Sequence, residues 1–226
     1  ALGDLDLTSA IAGTTGGLTK SGLGTLTLGT ANFYVGATTI NQGKLQLATG
    51  SVNSIFYNND LVVNAGGTLD LNGGILYANR LRNDGNVFVA GNGGIITSTA
   101  AATLVLGTAN VNWAGKINGS ITVARAQNGA SSQDWNIYDA QGYSGKTLLY
   151  GGRTQLLDSG TLLNTSEIEI NHSNLLIQNG ASLGLNLNDR IKDTAPITMR
   201  GGMIQYRNRQ ATASSETFGT LTIAAG

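Results

Sequence analysis

The stretch from Gly17 to Gly50 reads GLTKSGLGTLTLGTANFYVGATTINQGKLQLATG, and its spacing decides the fold. Apolar residues recur in pairs two positions apart, first Leu26 and Leu28, then Leu45 and Leu47, and Gly, Thr or Asn fills most positions around them. Short apolar-polar alternation is typical of β-strands, and Gly and Asn between such runs are typical of turns. The stretch therefore predicts very short strands joined by tight turns.

Similar short runs continue along the whole chain, whereas the apolar spacing of a helix is nearly absent. The runs lie at Leu61–Val63, Thr68–Leu71, Val87–Val89, Leu104–Leu106, Ile121–Val123, Ile168–Ile170, Leu175–Ile177, Leu183–Leu185 and Leu221–Ile223. Strands this short leave two all-β architectures. One is a sandwich or barrel of antiparallel hairpins, and the other is a parallel β-helix in which each coil stacks on the next.

An internal repeat decides between these architectures. The chain can be aligned with itself so that Tyr34 falls on Tyr143. In this alignment Thr38 falls on Thr147, and six of the 16 positions from Asn32 to Leu47 are identical. Average residue usage would give roughly one identity. A repeat in this composition favours a solenoid, because each coil contacts only its neighbours.

We therefore expect an all-β, right-handed parallel β-helix of about ten to twelve coils, each of roughly 18 to 24 residues. Residues 1–226 should form one continuous segment of a longer chain, with repeat copies at about 17–47 and 120–156. The inward-facing leucines should be Leu26, Leu28, Leu45, Leu47, Leu69 and Leu71.

The composition limits the chemistry and the partners. The 13 basic residues equal the 13 acidic residues, and charged residues make up only 12% of the chain. Nucleic-acid binding needs a basic field, so we expect no nucleic-acid partner. The chain has no Cys, which excludes disulfides and thiolate metal sites. No apolar run approaches the roughly 20 residues of a membrane helix, so this segment should contain no membrane span.

The opening stretch resembles the passenger-associated transport repeat of bacterial autotransporters. The resemblance rests on residues 17–22, 24–28, 38–41 and 43–47 together with Asn32, Tyr34 and Gly36, whereas Leu23, Phe33 and Val35 stand where small or hydroxyl residues are usual. Residues 188–226 also resemble a recurrent block of large repeat-bearing surface proteins. The resemblance implies a right-handed parallel β-helix outside a Gram-negative-type cell, either anchored to the outer membrane or secreted. It associates the repeat with secretion and folding of the passenger.

The function that follows is a non-enzymatic structural or adhesive surface protein: a stalk, an adhesin or a filament segment. Two alternatives remain open, a glycan-binding or glycan-cleaving β-helix module and a segment of a phage tail spike or fibre. The expected partners are further coils of the same chain or neighbouring copies placed end to end, and host or cell-surface glycans or proteins. We expect no cofactor.

Few residues are candidates for a site, and we expect no catalytic or metal-binding set. Glu167 and Glu169 should share one strand face, which makes them the best carboxylate pair, and the single His172 should lie in a surface turn. The rings of Trp113, Trp135, Tyr138 and Tyr143 could form a sugar-stacking platform, although core packing of Trp135 is the stronger interpretation. A candidate patch for an anionic glycan or a partner comprises Arg190, Lys192, Arg200, Arg207 and Arg209, although a pair of solvated arginine rows is the stronger interpretation.

Overall fold

The structure is a computed structural model that describes residues 3–13, 15–57, 59–107, 110–127, 133–179, 188–209 and 212–226. These residues form strands and turns, with no helix among them. The strands are Leu5–Leu7 (β1), Ala12–Gly13 (β2), Leu18–Lys20 (β3), Thr25–Leu28 (β4), Phe33–Tyr34 (β5), Thr38–Ile40 (β6), Gly43–Leu47 (β7), Leu61–Val63 (β8), Gly67–Asp70 (β9), Ile75–Ala78 (β10), Leu81–Arg82 (β11), Ile95–Leu106 (β12), Val111–Trp113 (β13), Lys116–Ala126 (β14), Asp134–Ile137 (β15), Ala140–Tyr143 (β16), Thr147–Tyr150 (β17), Arg153–Leu157 (β18), Thr161–Leu162 (β19), Ile168–Gln178 (β20), Ile197–Arg207 (β21) and Leu221–Ile223 (β22).

All pairings between these strands are parallel, which confirms the β-solenoid, and the chain makes about ten turns. The chain visits three ladders in turn. The first ladder runs β1, β4, β7, β9, the first halves of β12 and β14, and then β16 and β19, whereas β2 and β5 form a separate pair. The second runs from β10 through the second halves of β12 and β14 to β17, β20, β21 and β22. The third contains β3, β6, β8 and β11, followed by β13, β15, β18 and the second halves of β20 and β21.

The coils vary in length more than we expected. The coil from Leu26 to its partner Leu45 lies within the predicted range, whereas the coil from Asn171 to its partner Arg200 is longer than the upper limit of that range. Ladder pairing fixes only the strands, so the extra residues of the longer coils are accommodated between them.

The predicted core leucines are confirmed. Leu28, Leu45, Leu47, Leu69 and Leu71 are fully buried, and Leu26 is nearly so. Ladder pairing stacks Leu26 on Leu45 and Leu45 on Leu69, so identical side chains contact each other along the solenoid axis. Complete burial of each leucine contributes roughly 1.5–3 kcal/mol. The alternation in the sequence is therefore the inward and outward alternation of the strands.

The strands within each repeat copy pair in the same register, but the two copies lie on different sides of the solenoid. In the first copy Leu26 and Leu28 of β4 pair with Leu45 and Leu47 of β7 in the first ladder. The equivalent residues of the second copy belong to β15 and β18, which pair with the same register in the third ladder. The coil is thus the repeated unit, and it can occupy any side of the solenoid.

The third ladder is interrupted between β11 and β13. These strands are neighbours, yet β11 pairs only with β8 and β13 only with β15 within the described chain. Residues 83–94 leave the ladder here as a loop. The side chain of Asn83 spans the gap, because its Oδ1 accepts a hydrogen bond of 2.9 Å from the backbone N–H of Ala114.

Two predicted strands need comment. The prediction of a strand at Val87–Val89 is wrong, because these residues lie in the loop after β11, and Val87 is 65% exposed. Its apolar alternation therefore does not reflect ladder pairing. The run Leu183–Leu185 lies outside the described residues.

Candidate functional site

Each repeat copy contains a buried tyrosine that joins two strands at a corner. The hydroxyl of Tyr34 is 2.6 Å from Oγ1 of Thr38, and that of Tyr143 is 2.7 Å from Oγ1 of Thr147. Burial raises the pKa of Tyr34 to about 12 and raises the pKa of Tyr143 as well. The shared Tyr-x-x-x-Thr spacing is therefore a structural contact that keeps both hydroxyls away from water.

Buried cations hold carbonyl groups at equivalent places in the two copies. Nζ of Lys20 donates to the carbonyl oxygen of Gln42 at 3.0 Å, and Nη1 of Arg125 donates to that of Gly151 at 3.3 Å. Gln42 and Gly151 fall on each other when the two copies are aligned, and each precedes a glycine with positive φ. Burial lowers the pKa of Arg125 to about 10, which leaves it charged at neutral pH. The repeat thus preserves the contact although the cation comes from a different position.

Arg190 does not belong to a surface patch, which corrects the sequence interpretation. Its side chain is completely buried, and its guanidinium donates to the carbonyl oxygens of Gly160 at 2.7 and 2.9 Å and of Gln178 at 2.7 Å. Burial lowers its pKa to about 10. A planar fork of donors can join several carbonyls at once, which explains why the interior admits this cation.

The other basic candidates are distributed over the surface. Arg200 and Arg207 are exposed, whereas Lys192 and Arg209 are half-buried. Arg200 lies in the second ladder beside Asn171, and Arg207 lies in the third ladder beside Gln178. The two exposed arginines therefore lie on different sides of the solenoid.

The best carboxylate pair is engaged in ion pairs. Glu167 is 3.0 Å from Nζ of Lys146, and Glu169 is 3.5 Å from Nε of Arg200. His172 is exposed, with a φ of 49°, and its Nδ1 is 2.7 Å from Oδ1 of Asn171. Within the described ranges, no three His, Asp or Glu side chains are grouped so that they could hold a metal ion.

The aromatic candidates divide between the core and the surface. Trp113, Trp135 and Tyr143 are buried and form no platform. Tyr138 is half-buried, and its ring stacks on that of Phe88 with centroids 5.8 Å apart. Phe88 could not be recognised from the sequence, because it lies in a run whose alternation is typical of a strand.

The break between β11 and β13 forms a concave site. The cavity has a volume of about 220 Å³. Its lining comprises Arg80, Arg82, Asn83, Asp84, Gly85, Phe88, Asn110, Val111 and Asn112. Asn64 and then Arg82 lower the pKa of Asp84, although burial opposes them. A loop, an aromatic ring and several polar side chains therefore surround this cavity.

A second concave surface lies beside β22 and is apolar. Leu221 and Ile223 of β22 are 52% and 71% exposed, although their partners in β21 are Ile197 and Met199 of the core side. A groove of about 450 Å³ opens beside them, and its lining includes Met203, Ile204, Tyr206 and Phe218. This surface could accept another apolar coil.

The comparisons with known proteins agree with this coil geometry. Residues 18–47, which span β3 to β7, contain the stacked leucines and the first buried tyrosine. They match the passenger-associated-transport-repeat family. The match supports an autotransporter passenger repeat domain. No curated protein and no solved structure matched the chain.

The transport repeat thus corresponds to more than one coil of the solenoid. In the described parts of the chain, no helix is long and apolar enough to cross a membrane. The family match at residues 18–47 and the β-solenoid fold are those expected from the sequence. The family association fits secretion or a cell-surface location.

Proposed function

We propose that the chain is a non-enzymatic segment of an autotransporter passenger, displayed outside the cell, where it acts as a stalk or adhesive surface. The observation that carries the proposal is the transport repeat, whose residues build a coil that the chain repeats with the same register on another side of the solenoid. Such stacking extends a protein in one direction, because one short repeated sequence pattern is sufficient for each added coil.

The charged residues support a structural role. The described ion pairs are mostly between neighbouring coils, as in Arg80 with Asp60 and Arg153 with Asp134. Glu167 and Glu169 also face basic residues of other coils. Since these carboxylates are neutralised by partners one coil away, they serve coil stacking rather than acid–base chemistry.

The apolar surface beside β22 supports contact with a further β-helical coil, from the same chain or from a neighbouring copy. Leu221 and Ile223 occupy ladder positions that are covered in earlier coils, and the edge of β22 can extend parallel pairing. A strand edge beside an apolar groove favours a β-helical coil over an unrelated surface. We propose that a further β-helical coil, either of the same chain or of a neighbouring copy, packs there.

Surface display can be tested by protease treatment of intact cells that produce the protein from its full reading frame. Antibodies to this segment should show cleavage without lysis, because the proposal places the segment outside the cell. Protection of the segment until the cells are broken would refute the proposal.

A pair of glycine variants tests whether the transport repeat contributes to display. Gly43 has a φ of 71°, and a Cβ there would lie 2.3 Å from the carbonyl oxygen of Gly22, so Gly43→Ala should distort the coil. Gly13 has no atom within 4 Å of an added Cβ, which makes Gly13→Ala the matched control. The amount of displayed protein should fall for the first variant alone.

A further inference from the structure

The interruption of the third ladder creates a site that regular coils cannot provide. At every other described step of that ladder, backbone groups of one coil pair with those of the next. Between β11 and β13 the coils separate and side chains line the gap, including Arg82 from one coil and Asn112 from the other. Loops and irregularities on a rigid solenoid are where binding surfaces arise.

The loop over this gap is held at both ends. Asn83 accepts a hydrogen bond from the N–H of Ala114 at its start, and the N–H of Gly91 donates to the buried carboxylate of Asp139 at 2.9 Å near its end. Within the loop, Nδ2 of Asn92 donates to the carbonyl oxygen of Val87 at 3.1 Å. The loop is therefore preorganised, which lowers the entropy lost when a ligand binds.

The cavity offers planar polar groups with spare donors. Nε and Nη2 of Arg80 donate to Asp60, and Nη1 of Arg82 donates to Asp84. Nη1 of Arg80, and Nε and Nη2 of Arg82, have no acceptor among the described residues, and neither does Nδ2 of Asn112. Asp84 contributes acceptor oxygens to the same lining. A ligand that accepts several hydrogen bonds and donates at least one would complement this lining.

Charge and shape narrow the class of ligand. Each guanidinium is balanced by a carboxylate, so the site has no excess positive charge that would favour an anion. Phe88 adds an apolar ring held by stacking on Tyr138, and the volume suits a single sugar ring rather than a long peptide. Sugar hydroxyls both donate and accept hydrogen bonds, and the C–H face of a pyranose packs against an aromatic ring.

We infer that the cavity between β11 and β13 binds a neutral pyranose unit of a surface glycan, with Phe88 as the stacking residue and Arg82 and Asn112 as hydrogen-bond donors. The inference gives a ligand class to the adhesive role and rests on the proposed function in that respect. It also explains why the third ladder is interrupted between β11 and β13, whereas the rest of that side is continuous in the described residues.

The test is binding of the purified intact chain to an immobilised array of neutral oligosaccharides, with sialylated and sulfated counterparts on the same array. We expect binding to neutral members that changes little between low and high salt, because no net charge drives it. Binding restricted to acidic members and abolished by salt would overturn the inference, and so would the absence of binding to any neutral member.

Matched variants tie the binding to the cavity. Phe88→Ala should weaken binding about five- to tenfold through loss of the stacked ring. Arg82→Met, which keeps an apolar stem, should weaken it about tenfold. Phe33 is 58% exposed in the transport repeat, so Phe33→Ala removes an equal ring elsewhere and should leave binding unchanged. Equal affinities of Phe88→Ala and Phe33→Ala, both with unaltered thermal melting, would overturn the inference.

The outcome is separable from that of the proposed function. A chain that binds neutral sugar but stays inside intact cells would refute surface display and leave the binding site standing. A chain that is displayed but binds no sugar would remove the inference alone.

Discussion

The two buried tyrosines allow one change to be made in two matched surroundings. Tyr34→Phe removes the partner of Thr38, whose side chain is fully buried and has no other hydrogen-bond partner in the described chain. Tyr143→Phe removes a partner of Thr147, but Oγ1 of Thr147 also lies 2.9 Å from Oγ1 of Thr165. The same deletion of one oxygen atom therefore leaves a buried hydroxyl without a hydrogen-bond partner in the first copy only.

The free energies of unfolding should differ accordingly. An unsatisfied buried hydroxyl costs about 1–3 kcal/mol, so Tyr34→Phe should lose that amount. Tyr143→Phe should lose only the net value of one hydrogen bond, about 0.5–1.5 kcal/mol. A difference of this origin depends on Thr165. Thr165→Val in the Tyr143→Phe background should raise the loss in the second copy to at least that seen in the first, because Oγ1 of Thr165 also donates to the carbonyl oxygens of Gly145 and Glu167.

Hydrogen exchange measured by mass spectrometry is the appropriate assay, because neighbouring coils of a solenoid can open separately and a global transition would average them. Peptides covering residues 33–40 and 142–149 report the two corners. Equal losses of protection in the two single variants, or a greater loss in Tyr143→Phe, would refute the reasoning.

Four further outcomes follow from the structure. Leu45→Ala should destabilise the chain by about 2–5 kcal/mol in urea unfolding, whereas Leu5→Ala on the same ladder, 57% exposed, should cost less than about 0.5 kcal/mol; similar losses would contradict the ladder packing. Burial raises the pKa of Tyr34 from 10.0 to about 12, so the neutral hydroxyl contributes about 2–3 kcal/mol to the stability of the fold. This contribution is complete below pH 10 and is lost as the pH rises through 12. Tyr34→Phe should weaken this loss of stability when unfolding is measured over an alkaline pH series. Arg190→Lys should lower the unfolding midpoint, because the buried guanidinium of Arg190 joins the carbonyl oxygens of Gly160 and Gln178. The control Arg207→Lys should not lower it, because Arg207 is exposed, and equal midpoints would exclude the role of Arg190. Analytical ultracentrifugation of the isolated segment should show concentration-dependent association through the surface beside β22, and a monomer at all concentrations would contradict the proposed end-to-end contact.

The regular part of the fold could be predicted because the solenoid uses the same local rule in each coil. Leu26, Leu28, Leu45 and Leu47 alternate with polar residues, and alternation alone fixes which of them point inward. The internal repeat then selects stacked coils over hairpins. Neither observation predicts on which side of the solenoid a repeat copy lies, because that side depends on the summed lengths of the intervening coils.

The candidate site could be predicted much less well. Arg190 looks like a surface charge in the sequence, since nothing near it in the chain reveals that the carbonyl oxygen of Gly160, from another coil, will face its guanidinium. The alternation in Val87–Val89 imitates a strand, and it hid Phe88 and the loop. Both errors have one cause, because the local pattern does not show which residues of neighbouring coils will lie opposite one another.

The stability of this molecule and the recognition that we propose for it accordingly depend on opposite features. The ladders tolerate exchange of residues as long as the contact survives, as Lys20 and Arg125 show by holding equivalent carbonyls from different positions. A surface of interchangeable coils offers a ligand the same features many times over and so distinguishes little. Specific binding needs a place where the repetition stops, and we propose the gap between β11 and β13 as that place. Hydrogen bonds to Asn83 and Asp139 fix the two ends of its loop between regular coils.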